Sequence, residues 1–107
     1  MENLKIEGHI WLETSAGLKI GKGRALLLEE IDKTGSIAAA ARNTNIPYRK
    51  AWGMIKELNK GNTQPLVIKS VGGREGGGAV LTHEGKKILA EFKRIDQQFF
   101  LFKNSTL

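Results

Sequence analysis

The sequence predicts a single, mainly helical domain of the α+β class, and three observations support this expectation. The chain has 107 residues, enough for one domain with a modest core. Segments with apolar residues three or four positions apart, typical of helices, occupy most of the chain, whereas strand-like stretches are short and form two pairs. Glycine, proline and polar residues separate these segments. We therefore expect the range 1–107 to fold as one unit.

The first strand pair is predicted in the range 9–22. The stretch HIWLE is short and apolar-rich, LKI alternates, and TSAG between them is typical of a turn. We expect this N-terminal hairpin to pack against a neighbouring sheet or a second subunit. A first helix is predicted at 23–34, where apolar residues follow helical spacing, and Gly35 provides a stop.

Two helices separated by a sharp turn are predicted in the range 36–59. Ser36 is a good N-cap because its hydroxyl can accept a hydrogen bond from a free backbone N–H group. Asn45 tolerates the left-handed conformation, and Pro47 suits the first turn of the next helix. Two helices joined by a three-residue turn, with small alanines where they cross, form the helix-turn-helix pattern. An ordinary helical hairpin is the alternative.

A second strand pair is predicted in the range 66–81, on either side of a glycine cluster. The stretch VGGREGGG holds five of the thirteen glycines, and strand-like LVIKSV and AVL flank it. This arrangement favours the tip of a hairpin over a phosphate-binding loop, which requires GK[ST] and a helix after its glycines. A nucleotide-using enzyme is therefore disfavoured, and we expect no enzymatic activity.

The final helix, 82–102 with Thr82 as its cap, carries an apolar seam with spacings of 4, 3, 4 and 3 residues, which Leu89 and Phe100 broaden. This is a heptad pattern over two repeats, typical of a dimerisation helix. The alternative is that the helix packs wholly on its own domain. The residues assigned to the seam are Ile88, Leu89, Phe92, Ile95, Phe99 and Phe102.

Positive charge is concentrated in the middle of the chain. The net charge is +6, from 17 basic and 11 acidic residues. The range 42–74 carries seven basic residues and only Glu57 as an acid, so its surplus equals that of the whole chain. Such a local zone is typical of a polyanion-binding surface. A generically basic protein with no such partner is the alternative.

Composition excludes several other functions. The chain has no cysteine, so disulfides, thiolate metal sites and thiol nucleophiles are ruled out, and a reducing cytoplasm is the expected location. No apolar run is long enough for a membrane span, and the N-terminus lacks the features of a signal peptide. His9 and His83 have no partners at metal-ligand spacing. We expect no cofactor, no metal and no membrane partner.

Two stretches carry a resemblance to a known family. TGSIAAAARNTNIPYRKAWGMIKELN at 34–59 and GGREGGGAVLT at 72–82 resemble the DNA-binding domain of the molybdate-responsive ModE-type regulators, which are related to LysR-type winged domains. The resemblance implies a winged helix-turn-helix and prokaryotic transcription regulation through double-stranded DNA. Family members carry a molybdate-binding module after the long helix. We expect this chain to lack it, which leaves the signal undetermined.

The second helix of the pair is the expected recognition helix, because its N-terminal residues enter the major groove in such folds. Arg49 can read guanine through two hydrogen bonds, whereas Lys50 and Lys56 suit phosphates. We expect Trp52 to share its surface between core and DNA, and Arg74 to contact DNA from the hairpin tip. The predicted DNA-binding residues are Ser36, Arg42, Tyr48, Arg49, Lys50, Trp52, Lys56, Lys69 and Arg74.

Two alternatives remain open. The basic residues of this helix can also be a solvated face without a ligand. The whole domain can also be a protein interaction module that pairs with a separate sensor protein, instead of a homodimeric DNA-binding regulator.

Overall fold

The computed structural model describes residues 4–70 and 78–105. Within these ranges the protein is α+β and mainly helical, as predicted, with four helices and two short antiparallel strand pairs. The elements in chain order are β1 (Trp11–Glu13), β2 (Lys19–Gly21), α1 (Lys22–Thr34), α2 (Ile37–Asn43), α3 (Tyr48–Lys60), β3 (Val67–Lys69), β4 (Ala79–Leu81) and α4 (His83–Ser105). The N-terminal hairpin, β1 with β2, is therefore confirmed.

The helix boundaries follow local capping chemistry. Gly35 ends α1 in the left-handed conformation, with φ 69°, and its N–H donates to the Ile31 carbonyl at 2.8 Å. The Ser36 hydroxyl accepts a hydrogen bond from the Ala39 N–H at 3.1 Å and so caps α2. Asn45 has φ 57°, which confirms the expected left-handed turn residue. The Thr82 hydroxyl accepts from the Gly85 N–H at 3.0 Å at the start of α4.

Two details differ from the sequence-based expectation. The turn between α2 and α3 spans residues 44–47, which is one residue longer than predicted. Pro47 lies just before α3 instead of inside its first turn, with φ −55° and ψ 141°. The extended ψ of Pro47 redirects the backbone into α3, and the Pro47 carbonyl accepts a hydrogen bond from the Ala51 N–H at 2.9 Å.

Helix α1 lies at the centre of the fold and packs against α2, α4, β2 and β4. Its inward side chains have no solvent exposure, and the alanines of α2 allow a close approach between the two helices. The buried residues contributed by α1, α2 and α3 are Ala25, Leu27, Leu28, Ile31, Ile37, Ala40, Ala41, Ala51, Ile55 and Leu58.

The second hairpin is attached to the start of α2. Strands β3 and β4 are antiparallel, with Ile68 opposite Val80. Gly78 extends the pairing: its carbonyl accepts the Ser70 N–H at 2.9 Å, and it forms a bridge with Ser36. The hairpin tip at 71–77, including most of the glycine cluster and Arg74, lies outside the described residues.

Two polar and steric contacts fix where β3 lies. The Asn59 side chain near the end of α3 accepts the N–H groups of Leu66 and Val67 at 2.8 and 3.1 Å and donates to the Val67 carbonyl at 2.9 Å. Helix α4 then approaches the Leu66 backbone at Gly85, where an added Cβ would stand 2.2 Å from the Leu66 carbonyl oxygen. The position of β3 therefore depends on Asn59 and on a glycine at residue 85.

Candidate nucleic-acid interface

Helix α3 has one buried face and one basic face. The buried face carries Ala51, Ile55 and Leu58. The opposite face carries Arg49, Gly53, Lys56 and Lys60, which follow one another at spacings of 4, 3 and 4 residues and are all exposed. Because an α-helix has 3.6 residues per turn, this spacing aligns their Cα atoms in one row along the helix. Burial of the apolar face therefore turns a row of cations toward solvent.

Aromatic side chains extend this surface at the start of α3. Tyr48 is about half exposed and makes an edge-on contact with Trp52, with 6.3 Å between the ring centroids. Trp52 is half-buried against the core, and the Lys69 ammonium lies 5.8 Å from its ring centroid. The structure thus brings β3 and the first two turns of α3 into one surface, with Arg49 and Lys50 exposed beside it.

The single acid of this basic zone is neutralised by a neighbour. Glu57 on α3 forms an ion pair with Arg24 of α1. The Arg24 guanidinium also donates to the Lys19 carbonyl at 2.9 Å, which holds it in place. Pairing of Glu57 with Arg24 leaves the cations of the α3 face without a competing carboxylate on the same helix.

The two predicted contacts on α2 lie beside this surface. Ser36 is half-buried and uses its hydroxyl as the α2 cap, so its backbone and side chain are both engaged within the fold. Arg42 is exposed in the last turn of α2. Next to it, the Asn43 amide donates to the Glu30 carboxylate at 2.9 Å, which joins the end of α2 to α1.

The apolar seam of α4 divides into two parts. Leu89 and Phe92 are buried in the chain's own core, at 7% and 2% exposure, so they offer almost no surface to a second subunit. Ile88, Ile95 and Phe99 are half-buried. Near the end of α4, Phe100, Leu101 and Phe102 are all more than half exposed and point to three sides of the helix. A helix turn that is apolar on all sides is typical of a buried position.

A groove of about 560 Å³ runs beside this part of α4. It lies between residues 7–11, the start of α1 and the exposed end of α4. Trp11 on its wall is about half exposed, and Phe99 packs against the backbone at Gly8. The hairpin end of the domain therefore lies beside the exposed part of α4, and we call the apolar side chains there the α4 surface (Trp11, Phe99, Phe100, Leu101 and Phe102). The groove itself is also lined by the charged residues Glu7, Lys22, Asp96 and Lys103.

An ion pair attaches α4 to α1 on another side. The Lys93 ammonium lies 2.9 Å from the Glu29 carboxylate, and Lys33 lies 3.3 Å from the same group. Hydrogen bonding from Lys93, followed by that from Lys33, lowers the pKa of Glu29, and Glu29 in turn raises the pKa of Lys33. Within α4, the Arg94 guanidinium similarly lowers the pKa of Glu91. Of these pairs, only Lys93–Glu29 joins α4 to α1, and the other two lie within one helix.

Residues 4–70 and 78–105 contain no group of three metal-ligating side chains close enough to hold a metal ion. In the same part of the chain, no helix is both long enough and apolar enough to cross a membrane.

Sequence reasoning missed three features of this surface. Lys60 was not among the predicted DNA-binding residues, although its distance of four residues from Lys56 places it in the same row. The ion pair between Arg24 and Glu57 joins residues 33 positions apart, and no local pattern indicates it. Gly53, in the middle of the row, also drew no assignment, although a glycine inside a helix is an unfavourable choice.

Comparisons with known proteins give several relatives, while no family model matches. The chain is 41% identical over 80 residues to the molybdenum-pterin-binding protein MopB of Rhodobacter capsulatus, covering 75% of this chain and 30% of that protein. It is 34% identical over 97 residues to the transcriptional regulator ModE of Haemophilus influenzae, covering 91% and 37%. It is 38% identical over 74 residues to the DNA-binding transcriptional dual regulator ModE of Escherichia coli, covering 69% and 28%.

The chain spans about a third of the length of these curated relatives. Two of these names describe transcriptional regulators, in agreement with the regulatory function expected from the sequence, and one describes a molybdenum-pterin-binding protein. None of the three names describes an enzyme. The binding properties in these names are those of the full-length relatives.

Proposed function

We propose that this chain is a ModE-type DNA-binding domain that acts in transcription regulation. In this proposal the chain is a single winged helix-turn-helix domain, in which α2 and α3 form the helix-turn-helix and β3 with β4 forms the wing. The observation that carries the proposal is the exposed row of cations on α3, whose one neighbouring acid is paired with Arg24. The similarity to regulators described as DNA-binding supports it.

Each predicted contact has a role that its position permits. Arg49, exposed at the start of α3, reads base edges, and Tyr48 contacts the adjacent backbone. Lys50, Lys56 and Lys60 neutralise phosphates along the helix. The remaining predicted contacts are Trp52 on α3, Ser36 and Arg42 on α2, Lys69 on β3, and Arg74, which lies outside the described residues. Ser36 acts through the start of α2, while Trp52 holds Lys69 next to α3.

Two copies of the chain would pair through the α4 surface. The exposed end of α4 supplies the apolar area, and the half-buried Ile95 and Ile88 continue the same seam toward the start of the helix. Leu89 and Phe92, buried in the subunit, support the helix from inside. A symmetric pair would present two α3 helices to half-sites about 34–36 Å apart on a pseudo-palindromic duplex.

A protein interaction module remains the second candidate, because the α4 surface fits an apolar partner as well as a second copy. Capture of duplexes from a random pool, followed by fluorescence anisotropy on the recovered sequence, separates the two functions. The proposal requires specific binding by the purified chain. A chain that recovers no preferred sequence and binds no duplex at low salt, but co-purifies with a sensor protein, would establish the second candidate instead.

Alanine substitutions of Arg49 and Lys69 should have different effects. Arg49→Ala should reduce discrimination at one base pair by about 1–3 kcal/mol, because a bidentate contact with guanine is lost. Lys69→Ala should weaken all duplexes alike and make the dependence on salt shallower by about one unit of slope. Anisotropy titrations on the selected duplex and its single-base variants measure both effects.

Lys86→Ala, which removes the same charge from an exposed position in α4, is the matched control and should leave discrimination unchanged. If Arg49→Ala keeps full discrimination, Arg49 is not the base-reading residue.

A further inference from the structure

Gly53 lies in the middle of the exposed face of α3, and no described contact within the chain requires a glycine at this position. Glycine destabilises a helix interior relative to alanine, because it loses more conformational freedom on folding. Among the described glycines, only Gly17 and Gly35 have a positive φ, so the backbone at Gly53 suits any residue. A Cβ added at Gly53 would meet no atom within 4 Å. The fold therefore gains nothing from glycine at this position.

At two other glycines, by contrast, the chain's own backbone leaves no space for a side chain. A Cβ at Gly61 would stand 2.8 Å from the Leu18 Cα atom, and at Gly85 it would stand 2.2 Å from a carbonyl oxygen. Both positions exclude a side chain because the chain's own backbone passes there. Gly53 faces open space, as Gly23 does, but it also lies in the middle of the row of cations on α3, so a second molecule bound to that row is the candidate for excluding a side chain there.

The surroundings of Gly53 indicate the chemistry of that molecule. Arg49 lies one turn before it and Lys56 one turn after it, on the same face, with Lys60 a further turn along. Glu57, the nearby acid, is occupied by Arg24. At Gly53 no side chain covers the helix backbone, and cations lie on both sides of it along the helix. This arrangement suits a polyanion that approaches the backbone closely and contacts the cations on both sides.

We propose that Gly53 is the point of closest approach between α3 and a DNA duplex. This inference rests on the proposed function and adds the depth at which α3 enters the major groove. Without a side chain at residue 53, the helix backbone rests near the base edges, and Arg49 and Lys56 reach base and phosphate atoms on either side. A methyl group there holds the helix outward and stretches hydrogen bonds beyond about 3.2 Å, the upper end of the usual N–H···O range.

The test is Gly53→Ala in the 107-residue chain. Its thermal midpoint should rise by a few degrees, on the order of 4 °C, because alanine favours the helix. Its affinity for the duplex that the unaltered chain selects from a random pool should fall by about tenfold or more, as expected for overpacking. Gly53→Leu should bind still more weakly, while remaining folded. A substitution that stabilises the protein and weakens its binding cannot act through damage to the fold.

The control is Gly23→Ala, at another exposed helical glycine whose added Cβ would meet no atom within 4 Å. Because Gly23 lines the groove beside α4, affinity is measured on a duplex with a single half-site, where pairing of subunits does not contribute. The control should leave duplex affinity unchanged, provided that sedimentation shows an unaltered oligomeric state. Equal or tighter binding by Gly53→Ala would overturn this inference and leave the proposed function in place. Failure of the unaltered chain to bind any duplex would overturn both.

Discussion

The Phe102→Glu variant should sediment as a monomer at concentrations where the unaltered chain is a dimer. Phe102 is 55% exposed in the subunit and lies at the end of the apolar seam, so dimerisation through the α4 surface would bury it. Burying an unpaired carboxylate there costs several kcal/mol, more than a small interface can offset. Affinity for a two-half-site duplex should fall by roughly 10²- to 10⁴-fold, because the two recognition helices are no longer linked.

Phe99→Glu tests the same surface, although Phe99 also packs against the backbone at Gly8, so its effect mixes folding with association. Gln64→Glu is the control for the added charge, since Gln64 is exposed and lies in the loop before β3, outside the α4 surface. Sedimentation velocity distinguishes these cases. A Phe102→Glu chain that remains dimeric would show that the subunits pair elsewhere.

The Gly85→Ala variant should be strongly destabilised. A Cβ at residue 85 would stand 2.2 Å from the Leu66 carbonyl oxygen and 3.1 Å from its carbon, and both atoms belong to backbone that cannot rotate away. Moving α4 or β3 to relieve this contact should cost about 2–3 kcal/mol, as for other overpacked sites. For a domain of this size, the thermal midpoint should fall by roughly 10–20 °C.

Thermal unfolding followed by circular dichroism measures this effect. Gly23→Ala, whose added Cβ meets nothing within 4 Å, should leave the midpoint unchanged or slightly raised. An unchanged midpoint for Gly85→Ala would mean that α4 does not approach the Leu66 backbone as closely as described.

Local chemistry accounts for the parts of the fold that the sequence predicts well. The caps at Ser36 and Thr82 and the left-handed residues Gly35 and Asn45 depend on their own side chains and immediate neighbours, so each boundary was predictable. The predicted start of α4 agrees with the structure, whereas the helix extends to Ser105, three residues beyond the predicted end at residue 102. No glycine or proline ends the helix at that point, and the sequence therefore gives no signal there.

Contacts between distant segments account for the parts that were not predictable. A heptad pattern indicates that a helix face is buried, but it does not indicate whether that face packs on its own subunit or on a second one. In this structure Leu89 and Phe92 of α4 are buried in the core of their own subunit. The neutralisation of Glu57 depends on Arg24, which reaches it only because α1 crosses near α3. Likewise, the sequence does not show that Gly85 is enclosed while Gly53 is open. Such distinctions require the packed structure.

The central claim, that α3 and its basic neighbours bind duplex DNA, is tested most directly by measuring duplex affinity against salt concentration. Binding to phosphates releases counterions, and each neutralised phosphate contributes about −0.9 to the slope of log affinity against log salt. With Arg42, Lys50, Lys56, Lys60 and Lys69 on phosphates, we expect a slope of about −4 or steeper per subunit. A slope near zero, or no affinity for the selected duplex at low salt, would contradict it.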